Sequence, residues 1–212
     1  MIISPSYFAH MDALLKGITL GLLLAISVGP IVFTVIKQSI SNGYKGGLTF
    51  ISGIFLSDIL LVTLSNLFTN LFGLLNAHRK LLSVIACTFL IIAGIYYLFF
   101  KKIKAVDVNN DAIMETHDYI KLFITGFIMN IFNPGIIIFW LTTATTFSNS
   151  TINHRVVIFS IALLISLGAD ITKVLLADKI RQRMTAKNIH LVNQINGIIL
   201  IAFGVFIIFF EK

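Results

Sequence analysis

The stretch that decides the fold is "AISVGPIVFTVIKQ", Ala25 to Gln38. It lies within an apolar run long enough to form a helix, yet it carries Gly29 and Pro30 in its interior. Proline removes a backbone donor and clashes with the preceding turn, at a cost of about 3 kcal/mol inside a helix. A hundred residues later the pattern returns as "NIFNPGIIIFW", Asn130 to Trp140, with Asn133, Pro134 and Gly135 at the break. Two such interruptions in apolar runs demand a common explanation.

Composition sets the solvent. Of 212 residues, 57% are hydrophobic and 12% charged, and the mean hydropathy is +0.95. Soluble domains are about 45–50% apolar and about 25% charged. The surplus exceeds what one small core buries, so the chain is expected to face lipid, and a soluble enzyme is excluded. The net charge of +7 does not point to nucleic acid. The basic residues flank apolar segments instead of forming a stripe, as in membrane proteins. The N-terminus "MIISPSYFAHMD" lacks the basic region of a secretory signal, so the first apolar run reads as a retained span. Cys87 is the single cysteine, which excludes an intrachain disulfide framework or a cysteine-based metal cluster. It also argues against a membrane oxidoreductase, because thiol electron transfer needs a cysteine pair. The five histidines form no cluster at ligand spacing, and no metal or cofactor is expected.

Six segments approach the roughly 20 apolar residues that span a bilayer. They cover 13–36, 46–72, 81–100, 122–147, 155–177 and 191–210. The longest polar connector runs from Lys101 to Lys121. Alternate loops share a side, and ten Lys/Arg fall on one side against five on the other, leaving aside Lys173 as either intramembrane or marginal. The ten, which include Lys37, should be cytoplasmic. Both termini are then outside and the linker 101–121 inside.

The two halves resemble each other. "LIIAGIYYLFFKK" from Leu90 and "LIAFGVFIIFFEK" from Leu200 share six of 13 positions. "SDILLVTL" from Ser57 matches "ADITKVLL" from Ala169, each with one aspartate, and "SVGPIVF" matches "FNPGIIIF". Three matches in one order predict an all-α polytopic membrane protein with six transmembrane helices as two inverted three-helix repeats. Residues 1–104 form the first, 105–120 the cytoplasmic linker and 121–212 the second. An odd number of spans per half turns the second half upside down, as in many secondary transporters.

Paired helix breaks in corresponding positions are the best sequence pointer to a midplane site. Gly29, Pro30, Asn130, Asn133 and Pro134 are therefore the candidate substrate-binding residues. The alternative for each proline is a packing kink. Asp58 lies about 18 Å along its segment, near the middle of the roughly 30 Å hydrocarbon core. A carboxylate there must pair, face water or hold a proton. It is either a proton-coupling or amine-binding group, or a structural acceptor for the break at Gly29-Pro30. Asp170 and Lys173, three apart on one face, form a candidate intramembrane charge pair, although Lys173 also lies near enough to its segment's end to snorkel. Gly53, Gly94 and Gly204 are expected to permit close helix approach. Trp140 reads as a packing aromatic, an interface anchor or a pocket cap.

On these residues the sequence resembles the lysine-exporter (LysE/RhtB-type) translocator family over nearly its whole length. The carrying motifs are "SVGPIVF", "SNGYKGGLTFISGIFLSDI" with Gly43, Gly47, Gly53 and Asp58, and "GFIMNIFNP" with Gly126, Phe127, Asn130, Asn133 and Pro134. Many members have Pro-Gly-Pro-Asn in the first motif, whereas this chain has Val28-Gly29-Pro30-Ile31. Many also have Lys where Gly135 stands. The resemblance implies a bacterial inner-membrane exporter of amino acids or related small metabolites, driven by the proton motive force. Its partners would be a small amino-acid-like substrate, protons and the bilayer, and a homo-oligomer is compatible with it. The rival reading is a membrane-embedded subunit or scaffold without transport activity.

Overall fold

A computed structural model describes residues 5–26, 30–67, 79–100, 115–181 and 186–210. Seven α-helices account for nearly all of them, and no strand occurs among the described residues. They are α1 (Pro5–Ile26), α2 (Pro30–Leu67), α3 (Arg79–Ile95, continued by a π turn over Tyr96–Phe100), α4 (Thr116–Ile131), α5 (Pro134–Thr146), α6 (Ile152–Arg181) and α7 (Ala186–Phe210). By length and composition, Ile31–Leu67 and Ile152–Arg181 can each cross a membrane. The pair Thr116–Ile131 and Gly135–Thr146, bent by 59°, adds a third if it is one broken span.

The breaks fall where the prolines predict them. The expected first segment, 13–36, is divided: α1 ends at Ile26 and α2 begins at Pro30. Residues 27–29, Gly29 among them, lie outside the described residues. Proline suits the first helical position, where its missing N–H would be unsatisfied anyway. The expected fourth segment is divided in the same way by Phe132 and Asn133.

Although 38 residues long, α2 does not run straight. Gly43 has φ 71 and ψ 179, and it is the single described residue in the left-handed region. A Cβ on Gly47 would strike Ser39 Oγ. Eight residues apart in a straight helix, these positions would be about 12 Å apart. The chain therefore doubles back at Gly43 into an inner half (30–42) and a returning half (44–67). A side chain at Gly43 would also meet Arg181 Nη1 at 2.6 Å, so both backbone conformation and space require glycine there.

Close backbone approaches fix the directions of the helices. A Cβ on Gly53 would collide with Phe123 O, and one on Gly126 with Phe50 O. Together with the Asn130–Ile54 hydrogen bond, these show the returning half of α2 running parallel to α4. Gly17 packs on Ile158 and Ile161, Gly21 on Ala162 and Ile165, and Asp12 meets His154 at 3.2 Å, so α1 runs parallel to α6. Gly94 and Gly197 face each other's carbonyls, and Gly197 also reaches Leu98, so α3 and α7 run antiparallel. Where lipid is as apolar as the side chains, such small-residue crossings supply the contact area that holds helices together. The expected roles of Gly53 and Gly94 hold, while the surroundings of Gly204 lie outside the described residues.

Two main apolar clusters are stacked along the bundle. One joins Val35, Phe50, Ile51, Ile54, Leu90, Met129, Val174 and Leu200. The other joins Leu24, Leu61, Val62, Trp140, Ala144, Phe159 and Ala162. On the returning half of α2, Ile54 belongs to the first cluster and Leu61 to the second. Asp58 lies between them.

Candidate substrate site

Asp58 is buried, with 6% of its surface exposed. Its Oδ1 accepts from Asn130 Nδ2 at 2.8 Å and from Trp140 Nε1 at 3.0 Å. Asn130 Nδ2 also reaches Ser57 Oγ at 2.7 Å and the Ile54 carbonyl at 3.3 Å. An amide and an indole N–H are both neutral donors, so they satisfy the carboxylate without neutralising its charge. The two donors come from opposite sides of the second helix break, Asn130 from the last turn of α4 and Trp140 from α5. The described partners of Asp58 flank the break at Asn133-Pro134. The Gly53–Gly126 crossing draws α4 against the face that carries Asp58.

The rigidity of this cluster comes from its surroundings. Trp140 has no exposed surface. It is wedged against Phe139, edge-on at 5.1 Å, and Phe159 at 6.0 Å between ring centroids. A Trp held on both sides presents its N–H in one direction.

At the break itself, Asn133 is the N-cap of α5, and its side-chain oxygen accepts from Gly135 N at 3.0 Å. Pro134 follows at the first helical position. Asn130, Asn133 and Pro134 do not share one helix face as their spacing suggests, because α4 ends at Ile131. Asn130 turns into the bundle, while Asn133 closes the end of α5. That cap satisfies one of the N–H groups a helix start offers to an anion.

Pro30 belongs to the same layer by depth. Counted from Gly43 at 1.5 Å per residue, Pro30 lies about 20 Å up the inner half of α2 and Asp58 about 22 Å up the returning half. The start of α2 and the carboxylate are therefore level to within a turn.

Asp170 and Lys173 form the expected pair, with Nζ to Oδ1 at 2.8 Å and both side chains largely buried. Asp170 is near enough to interact electrostatically with Asp58. Asp58 is thus held by neutral donors and Asp170 by a lysine.

Sequence reasoning missed Ser57, the hydrogen-bonding role of Trp140 and the position of Lys37. Lys37, counted above among the loop charges, is fully buried in α2. Without it the charge asymmetry is nine against five, still in the same direction. Trp140 lies seven residues after Asn133, two turns along one face of α5, which is the signal that connects it to the break.

The family model for the LysE type translocator matches residues 22–210. No curated protein and no solved structure matches the chain. The matched range takes in both helix breaks, Asp58, Asn130, Trp140 and the Asp170–Lys173 pair, and the chain belongs to the LysE type translocator family.

Proposed function

We propose that the chain is a secondary transporter of the inner membrane that exports amino acids or related small metabolites, driven by the proton motive force. The observation that carries this reading is a buried carboxylate, Asp58, held by neutral donors from both sides of a broken helix. A charge at that depth is costly unless it is used or paired. In the proposed cycle Asp58 accepts a proton from the outer side and releases it when the substrate's amino group takes its place. The two forms alternate, so proton entry and amine exit are coupled. The ends of α2 and α5 at Gly29-Pro30 and Asn133-Pro134 line the same chamber. Asp170 and Lys173 set the local field and exchange partners as the chamber opens.

The architecture that suits this cycle is two inverted repeats, residues 1–104 and 121–212, joined by the linker 105–120. The pairing of α1 with α6 and of α4 with the returning half of α2, both parallel, supports it. These two pairs exchange if the halves are related by an in-plane twofold axis. Rocking of one repeat against the other would then expose the chamber to either side. The lysine-rich end, with Lys45, Lys121 and Lys179, would face the cytoplasm, and both termini the outside.

The test is amino-acid efflux from proteoliposomes under an imposed pH gradient. Asp58→Asn is expected to lose gradient-driven efflux by about tenfold or more, and gradient-independent exchange with it, because a neutral amide holds neither the proton nor the substrate's amino group. Unchanged rate and pH dependence in Asp58→Asn would remove the coupling role.

A further inference from the structure

Asp58 does not offer its two oxygens equally. Oδ1 accepts from Asn130 Nδ2 at 2.8 Å and from Trp140 Nε1 at 3.0 Å. No described residue donates to Oδ2. Each carboxylate oxygen has two lone pairs, so two N–H donors fill Oδ1 and leave Oδ2 empty. Asn130, Trp140 and Ser57 are sealed more completely than Asp58, so the opening of the cluster is at the carboxylate. Neither donor is free to step aside. Asn130 Nδ2 is also tied to Ser57 Oγ and the Ile54 carbonyl, and the Trp140 ring is wedged between Phe139 and Phe159.

This asymmetry discriminates between cations. A guanidinium binds a carboxylate best as a fork, with one N–H on each oxygen. It is also more weakly hydrated than an ammonium, so a buried carboxylate with both oxygens free favours it. With Oδ1 filled, the fork places one prong and forfeits the second charge-assisted bond. A primary ammonium is a compact charge that needs a single oxygen. The second half of the chain shows this mode, where Lys173 Nζ meets Asp170 Oδ1 at 2.8 Å with both side chains largely buried.

We infer that Asp58 selects a primary ammonium over a guanidinium by presenting Oδ2 alone, and that Asn130 and Trp140 set this specificity. The inference rests on the export of amino compounds proposed above and names the substrate class: ligands bind with a primary ammonium on Oδ2. A substrate that carries both groups binds through its amino group. An Asp58 that only ties α2 to α4 and α5 would bind neither cation.

The experiment measures ligand-induced thermal stabilisation of the purified full-length chain. Its probes are ethylammonium against ethylguanidinium, glycine against guanidinoacetate and β-alanine against β-guanidinopropionate. Within each pair only the cationic group changes. The wild type is expected to favour the ammonium member by about tenfold in apparent affinity, the size of one forfeited charge-assisted contact. Trp140→Phe and Asn130→Leu each release a lone pair on Oδ1, and each should lower that ratio several-fold. If one variant does not fold, the other decides alone. A wild-type ratio in both variants overturns the inference. So does a wild type that binds ammonium and guanidinium members alike, an outcome that leaves amine recognition at Asp58 standing. A wild type stabilised by none of the probes removes the amino-compound reading and this inference with it.

Discussion

At the scale of single residues, two glycines of α2 and α6 make opposite demands. Gly53 has its Cβ position filled by the backbone of α4, so Gly53→Ala should force the helices apart and destabilise the bundle by about 1–3 kcal/mol, the usual cost of overpacking. Gly168 meets nothing within 4 Å. There Gly168→Ala should be neutral or stabilise by about 0.5–1 kcal/mol, through helix propensity alone. Thermal unfolding of both variants in the same detergent checks the contrast. The sequence showed the importance of Gly53 through its motif, but it could not show that Phe123 O is its neighbour. Asp58 was legible as a buried carboxylate for the same reason it is unusual: a charged side chain is costly in an apolar run. Its donors were not legible. Asn130 and Trp140 are 72 and 82 residues away, and only the crossing angle of α2 and α4 selects them.

At the scale of elements, the bent pair α4–α5 carries the two donors to Asp58, and Asn133 maintains the break between them. Removing its cap with Asn133→Ala should cost about 1 kcal/mol and weaken transport, whereas Asn133→Asp or Asn133→Ser should keep most of both. Unfolding midpoints and efflux rates measured together check this. Both breaks were legible because proline cannot continue a helix, whatever its environment. The doubling of α2 at Gly43 was also anticipated by the separate segments 13–36 and 46–72. What remained hidden was the polar face from Thr34 to Ser41. Its period of i, i+3, i+4 and i+7 is visible in the sequence, yet Lys37 reads there as a loop charge. Placing the turn at Gly43 moves Lys37 two turns inside the helix and reverses that reading.

At the scale of the whole molecule, the proposed orientation rests on the excess of Lys and Arg at one end. With Cys87→Ser as background, single cysteines at Lys45 and Lys121 should react with an impermeant thiol reagent from the cytoplasmic side only, and one at Arg155 from the outer side only. Hydropathy alone predicts six segments, and among the described residues two helices, or three spans if α4 and α5 are one, are long and apolar enough to cross a membrane. The parallel pairing of α1 with α6 and of α4 with the returning half of α2 was not legible, because periodicity carries no information on which helices meet. The central claim is that the layer joining Asp58, Asn130 and Trp140 is where substrate binds, and the molecule contains its own reporter. Trp140 is the single tryptophan, and its N–H donates to Asp58. Its emission should therefore shift when amino acids are added to the reconstituted protein, and the shift should vanish in Asp58→Asn. An emission spectrum indifferent to every amino acid, or an equal shift in Asp58→Asn, would contradict the account.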